Sequence, residues 1–341
     1  MVLAMLVVLS LLAGSVAVVA QRLRDQALER ERAMRDDIDM ASTRATVLYL
    51  LTSQAVTIGG LTVDGQAADL ARQNASPGDD AQVYILPIGN EIALDGSAYQ
   101  GIGDIRFSLQ DDAGLFGLNM QSPEAVARLL AQPPARASEA PQVLINRLED
   151  YQDEDDLYRV GSMERAGYLA MGLRPPSNLP LSTPMEVLRV PGWAEALGNL
   201  PTGMLLDTVG SQFGGVTNVN TASERVLRTI EGVNADMARR AIDRRKLQPF
   251  LTSHEFLAFL GIPESVQTPV GVYPSTSGTL RMWPARGGQV RAMHWTMTPT
   301  EERGRPWRED YELIHSHDRP ADEFARPVAS RLLAKPAPAQ D

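Results

Sequence analysis

Residues 2–20 read VLAMLVVLSLLAGSVAVVA, and residues 21–40 follow as QRLRDQALERERAMRDDIDM. The first run carries no charge over 19 residues; at ~1.5 Å per helical residue it reaches about 28 Å, close to the ~30 Å hydrocarbon core of a bilayer. The second run has no Gly or Pro and is rich in strong helix formers and opposite charges. Beyond it Ile38, Ala41, Ala45, Leu48, Leu51 and Ala55 recur at spacings of three and four, an amphipathic stripe. The pattern predicts one helix running from the apolar run to about Thr57, ahead of Gly59-Gly60. Its first third is apolar, its middle is charged all round, and its last third packs one face on a body. The apolar run reads as a membrane anchor. A cleaved secretory signal usually has a shorter apolar region of ~7–15 residues with basic residues ahead of it; nothing basic precedes this run, although Ser15-Val16-Ala17 and Ala17–Ala20 offer weak cleavage sites. Arg22 and Arg24 follow the run, so the positive-inside rule leaves the body cytoplasmic unless a short basic leader precedes Met1.

The remainder has the composition of a folded body. The chain has 341 residues, 44% apolar and 22% charged, enough for about two domains. It has no cysteine, which excludes a disulfide scaffold, a zinc ribbon, an iron–sulfur site and a thiol nucleophile together. The net charge of −10 argues against nucleic-acid binding through the overall field.

Residues 59–80 read as a loop, Val83–Ile88 as an edge strand with Pro87 near its end, and Ile105–Leu109 as a strand that turns through Asp111-Asp112-Ala113-Gly114 into Leu115–Leu118, a hairpin signal. Ser122-Pro123-Glu124 opens a helical stretch extending to about Gly261. Thr183…Glu186, Thr221…Glu224 and Thr252…Glu255 are predicted capping boxes within it. Strands return at Thr279–Pro284, Gln289–Met297 and Tyr311–Ile314, with a tight turn at Arg286-Gly287-Gly288. Such short flanking strands do not make separate stable sheets. The α+β solution is one antiparallel sheet packed on the N-terminal helix, with a helical domain inserted between its strands. The expected division is 1–20 transmembrane, 21–58 soluble helix, 59–120 first strands, 121–268 helical insertion, 269–318 C-terminal strands, and 319–341 a disordered Pro/Ala-rich tail.

That layout and four local signatures resemble the minor pseudopilin K of bacterial type II secretion systems. The signatures are the apolar helix continuing into a soluble one; Asp111–Asn119 (DDAGLFGLN), similar to a family segment ending Asn-Leu-Asn; Leu148–Asp156 (LEDYQDEDD), similar to an Asp-Trp-x-Asp-x-Asp run and followed by Glu164, Tyr168 and Pro180–Leu188; and Thr217–Ala222 (TNVNTA), leading a helix–hairpin–helix-like repeat. Gly117 stands where the family usually has Asn, and Tyr151 where it usually has Trp. The resemblance implies a pilin-like fold and a non-enzymatic subunit, single-pass in the inner membrane with a periplasmic body. It implies a place at the pseudopilus tip with I- and J-type minor pseudopilins, other pseudopilins and the assembly platform as partners. With a mature chain that begins near Met1, Met5 sits where most pilins carry a glutamate that K-type subunits lack. Partner contacts are expected on Ile38, Ala41, Ala45, Leu48 and Leu51 and on the helical domain.

The acidic run offers hard oxygen ligands but not the Gly and terminal Glu of an EF-hand loop. On composition alone it reads as a solvated face. K-type pseudopilins are associated with calcium, and on that resemblance Asp150, Asp153, Asp155 and Glu164 are the candidate ligands. The rival reading is an anchored helix–hairpin–helix DNA receptor: Asn220–Lys246 sets seven basic residues (Arg225, Arg228, Arg239, Arg240, Arg244, Arg245, Lys246) against Glu224, Glu231, Asp236 and Asp243, with Asn234 in place of the motif's second glycine. His294, His315 and His317 lack a metal-site spacing, Trp283 and Trp295 read as sheet-packing residues, and no catalytic triad, nucleophile elbow, dinucleotide fingerprint or phosphate loop occurs.

Overall fold

In the computed structural model, which describes residues 1–65, 86–119, 121–213, 215–264, 269–299, 304–316 and 325–333, the N-terminal helix α1 spans Val2–Ser53. It stops before the predicted Thr57: Gln54 is extended, and β1 (Val56–Thr57) turns back as a tight hairpin onto β2 (Gly60–Leu61). Gly60 makes the turn possible. Its φ is +134°, and a Cβ there would lie 2.2 Å from the Ile92 carbonyl oxygen. Among the described residues no helix is long and apolar enough to cross a membrane. The 2–20 run is helical, but the side chains of Ala4 and residues 6–10 lie outside the described set.

In chain order there follow β3 (Tyr99–Gln100), β4 (Ile105–Asp111), a 3₁₀ turn (Asp112–Gly114) and β5 (Phe116–Asn119). Next come α2 (Pro123–Leu130), α3 (Pro141–Gln152), α4 (Arg165–Ala170), a second 3₁₀ turn (Pro184–Arg189), α5 (Trp193–Leu197) and α6 (Thr202–Leu206). Strands β6 (Val209–Phe213) and β7 (Thr217–Asn218) precede α7 (Glu224–Leu227), α8 (Ala235–Leu247), α9 (Ser253–Leu260) and β8 (Val270–Gly271). The chain returns through β9 (Ser277–Pro284), β10 (Gln289–Met297) and β11 (Trp307–Ser316).

The main sheet has five strands in the order β11-β10-β9-β4-β3, every neighbour antiparallel. Alternation along the strands gives its two faces different chemistry. Ile105, Phe107, Leu109, Leu280, Met282, Met293 and Trp295 form one core with Met40, Val47, Leu48, Leu50 and Leu51 of α1. Salt bridges pin the same helix: Arg44 to Glu309 and Glu312, Arg286 to Asp36, and Arg291 to Asp37. Intervening positions Ser108, Gln110, Thr279, Arg281 and His294 are buried and polar. Arg281 donates to the Leu206 carbonyl (3.0 Å) and pairs with Asp207, tying the sheet to the end of α6. The helices between β5 and β9 share a second core that includes Val126, Leu144, Tyr168, Trp193, Phe250 and Phe256.

Several local expectations change. β4 and β5 do not form a hairpin, because both edges of β4 are taken by β9 and β3; β5 leaves the sheet and pairs in parallel with β6. The residues foreseen as capping boxes are drawn elsewhere. Thr221 donates to Asp111, so Ser223 caps α7. Glu186 is held by Ser182 and Tyr151, leaving Thr183 without a cap bond. Thr252 does cap α9, while Glu255 accepts from Leu251. Ser122 caps α2 with Pro123 in its first turn. The strand foreseen at Val83–Ile88 lies outside the described residues up to residue 85, and residues 86–88 are not strand. Within the tail foreseen as disordered, residues 325–333 are ordered. Arg326 completes the hydrogen bonding of β3 with the Gln100 amide and the Ala98 carbonyl, and Ala325 and Leu333 are buried.

At the junction of β4 with the helices, Asp111 is 1% exposed and accepts from five donors: the Ala113 and Ser275 amides, Ser275 Oγ, Asn218 Nδ2 and Thr221 Oγ1, at 2.8–3.2 Å. Gly114 lets this turn close, since a Cβ there would fall 2.6 Å from Thr221 Oγ1. Asp111→Ala strands these donors and is expected to cost about 3–5 kcal/mol, read from the urea midpoint. Leu247→Ala, at a site 89% exposed, is expected to stay within about 0.5 kcal/mol. An Asp111→Ala midpoint equal to that control would contradict the assignment.

Candidate functional site

The acidic run of the sequence is split by the end of a helix. Leu144, Ile145, Leu148 and Tyr151 put one face of α3 into the second core, and Asp150 is carried into the interior in the last turn, 0% exposed. α3 ends at Gln152, and the C-cap Asp153 is extended. The chain then loops back to Glu164, the N-cap of α4, whose carboxylate does not cap the helix. Asn146 fastens the returning loop by donating to the Val160 carbonyl at 2.8 Å. One carboxylate oxygen from each of Asp150, Asp153 and Glu164 comes within 4.8 Å of the others.

Arg159 reaches into this cluster. Its Nη1 bonds Asp150 Oδ1 and Asp153 Oδ2, its Nε pairs with Glu149 at 2.9 Å, and its amide donates to Asp150 Oδ2 at 3.0 Å. Burial alone would raise the Asp150 carboxyl, but hydrogen bonds from Ser162 and from Arg159 outweigh it and hold it below the usual range. Glu164 has the opposite fate. It is 1% exposed and neither carboxylate oxygen has a hydrogen-bond partner. Burial, then the charges of Asp150 and Asp153, push it up to about 7. A buried carboxylate facing two others without a donor lacks a compensating cation.

The donor set fits a hard divalent ion. Two oxygens on one calcium at 2.3–2.6 Å lie at most about 5 Å apart, and the observed spread is 4.8 Å. Asp155, the fourth expected ligand, is not in the cluster: it is exposed, and its Oδ1 accepts from the Leu157 amide in a local turn. Ser162 and Arg159, which no spacing rule marks, are the residues that hold Asp150.

The expected partner stripe also divides. Leu48 and Leu51 are buried against the chain's own sheet, because the helix turns that edge inward. They are unavailable to a partner, and a charge at Leu48 would attack the fold. Ile38, Ala41 and Ala45 remain exposed, with Tyr49 beside them. Met5 is exposed on α1.

The basic residues of 220–246 are largely spent inside the chain. Arg225 bonds the Gln132 and Pro133 carbonyls, Arg239 pairs with Glu224 and Asp236, Arg244 with Glu255, and Lys246 with Asp243. Arg245 is buried on the Val219 and Ala222 carbonyls, and Arg240 lies over the Phe259 ring. Asn234 accepts from the Met237 amide and caps α8. The histidines do not converge. His294 lies buried between Asp112 and Asp310 at 2.8 Å each and stacks on Tyr311, whereas His315 is paired across the sheet with Val290. His317 lies outside the described residues. Burial would lower His294, but the two carboxylates outweigh it and raise it. Trp295 packs in the α1 core and Trp283 against Ala98, Val290 and Ala325.

Residues 217–272 match the family model of type II secretion system (T2SS), protein K. The matched segment opens at β7 and closes at β8, which pair with each other. In fold, the chain is similar to a chain in the crystal structure of the GspK-GspI-GspJ complex from the enterotoxigenic Escherichia coli type 2 secretion system. The TM-score is 0.50 and the identity 16%, with 84% of this chain and 100% of that chain covered. The two findings support a type II secretion system protein K. No curated protein matches the sequence.

Glu164 makes stability depend on pH in a predictable direction. Its folded value of about 7 lies above the ordinary 4.5, so what it contributes is present below the ordinary value and lost as pH rises through about 7. With EDTA present, the melting temperature of Glu164→Gln minus that of wild type should therefore grow between pH 4.5 and pH 8. A difference constant across that range would show that the carboxylate is already compensated.

Proposed function

We propose that the chain is a minor pseudopilin that forms or caps the tip of a type II secretion pseudopilus together with I- and J-type minor pseudopilins, serving export of folded proteins across the outer membrane. The observation that carries this reading is the protein K signature of residues 217–272 set within a fold alike over 84% of the chain. In this reading residues 2–20 anchor the subunit in the inner membrane, the body faces the periplasm, and the helices of 121–268 act as an inserted domain. Residues 2–20 contain no glutamate, the residue that other pilins use toward the subunit ahead, and a first subunit has none ahead. The role is structural rather than enzymatic.

Calcium is the cofactor of this reading, held by Asp150, Asp153 and Glu164; its part is to supply the positive charge that the buried Glu164 lacks and that Asp150 and Asp153 take from Arg159 alone. The outer edge of α1, at Ile38, Ala41 and Ala45, is the surface offered to the partner pseudopilins. A helix–hairpin–helix DNA receptor is not favoured, because six of the seven basic groups in that segment already have partners in the chain.

The test is to purify the full chain in detergent with the I- and J-type proteins of the same organism and measure mass by light scattering after size exclusion. A 1:1:1 complex is expected. The double variant Ile38→Asp/Ala45→Asp should melt within a few degrees of wild type and lose the complex. Three separate species with the wild-type chain would overturn the tip role, and an intact complex with the folded double variant would remove this edge from the interface.

A further inference from the structure

Arg159 and a metal ion compete for the same oxygens. The guanidinium Nη1 bonds both Asp150 Oδ1 and Asp153 Oδ2, so it stands in the space between the two carboxylates where an ion shared by them would sit. Arginine does not shed its proton at physiological pH, so this nitrogen cannot itself become a ligand. The substitution is also incomplete. One positive charge is distributed over Glu149, Asp150 and Asp153, while both oxygens of Glu164 stay buried without a partner in the same cluster. A divalent ion carries twice the charge, and one oxygen from each of the three carboxylates lies within its reach.

We infer that Arg159 is the resident cation of this site, holding Asp150 and Asp153 in the metal-free chain, and that it must swing out for a divalent ion to enter. The inference rests on the calcium reading above and adds its regulation. Arg159 sits in the loop between α3 and α4, and its neighbours Leu157, Tyr158 and Val160 are exposed apolar residues. Its backbone is fastened to the same site through its amide on Asp150 and through Ser162 on its carbonyl. Exchange of guanidinium for metal therefore bears on the loop that displays those side chains. Glu149 is exposed beside the cluster and offers Arg159 an ion pair that survives the exchange.

The experiment titrates calcium chloride into the full chain in detergent by isothermal calorimetry, comparing wild type with Arg159→Gln and Arg159→Lys, and follows melting temperature with and without calcium. Glutamine removes the competing charge and should tighten calcium binding about tenfold or more, which is about 1.4 kcal/mol or more. Lysine keeps one charge without the fork and should fall between. The calcium-induced rise in melting temperature should follow the same order, smallest in wild type. Calcium binding by Arg159→Gln alone, with none by wild type, would support the inference equally, since the resident cation would then exclude the ion. Binding by wild type that neither variant improves would overturn the inference and leave the metal reading standing. Absence of binding in all three, each shown folded by a cooperative melt, would overturn both.

Discussion

Five donors converging on one buried carboxylate, Asp111, hold the two halves of this chain together. The residue ends β4, so its backbone belongs to the antiparallel sheet. Its Oδ2 accepts from Asn218 and Thr221, at the entrance to the helices of 224–260, and its Oδ1 accepts from Ser275 where the chain leaves them. An anion inside a protein is tolerated only when donors replace its water. Four of the five donors lie more than a hundred residues from Asp111 in sequence, so the arrangement exists only when both halves are in place. The next residue repeats the device. Asp112 meets His294 of β10 and Ser277 of β9, and its carbonyl accepts from Gln212. The buried polar face of the sheet is thus the seam on which the helical half sits, while the apolar face is reserved for α1.

This seam explains the form of two sequence signatures. DDAGLFGLN and TNVNTA stand about a hundred positions apart in the chain, yet they are the two sides of one hydrogen-bond network. Asn218 bonds Asp111 and also receives the Asn220 amide; Asn220 in turn exchanges two hydrogen bonds with the Phe250 backbone. Asn119 bonds the Ser211 carbonyl where β5 runs beside β6. Asparagine recurs in these stretches because its amide both donates and accepts, and so can stand in for a missing strand partner.

What could be read from the sequence followed the range of the interactions. α1 and strands β9 and β10 were legible from periodicity, because burial of one face writes itself into every second or every third-and-fourth residue. The hairpin after β4 and two of the three capping boxes were misread for a common reason. β3 and β9 take both edges of β4, Asp111 takes Thr221, and Tyr151 together with the local Ser182 takes Glu186; nothing local announces a partner far along the chain. The acidic site divides the same way. Asp150 and Asp153 stand in one acidic run, Glu164 enters only through the family resemblance, and the fold brings the three within 4.8 Å. Asp155 was equally visible and points elsewhere. Arg159 and Ser162, nine and twelve residues past Asp150 across a loop, had no signal at all.

The inner and outer edges of α1 show why a stripe of apolar residues does not by itself name an interface. Ile38, Ala41, Ala45, Leu48 and Leu51 share a spacing, but the helix crosses the sheet only along its last turns. Met40, Val47, Leu48, Leu50 and Leu51 meet the strands, whereas Ile38, Ala41 and Ala45 stay exposed, the two alanines on a groove shared with Met282 and Trp307 of the sheet. Salt bridges from Asp36, Asp37 and Arg44 to the sheet strands and the β9–β10 turn fix the rotation of the helix about its axis. Side-chain length then makes the difference: leucines fill the space over the strands, and the alanines leave a groove between Tyr49 and the sheet residues Met282 and Trp307. The rotation that buries Leu48 is therefore the same rotation that leaves Ala41 and Ala45 exposed, so one choice of helix face decides which half of the apolar stripe the fold uses.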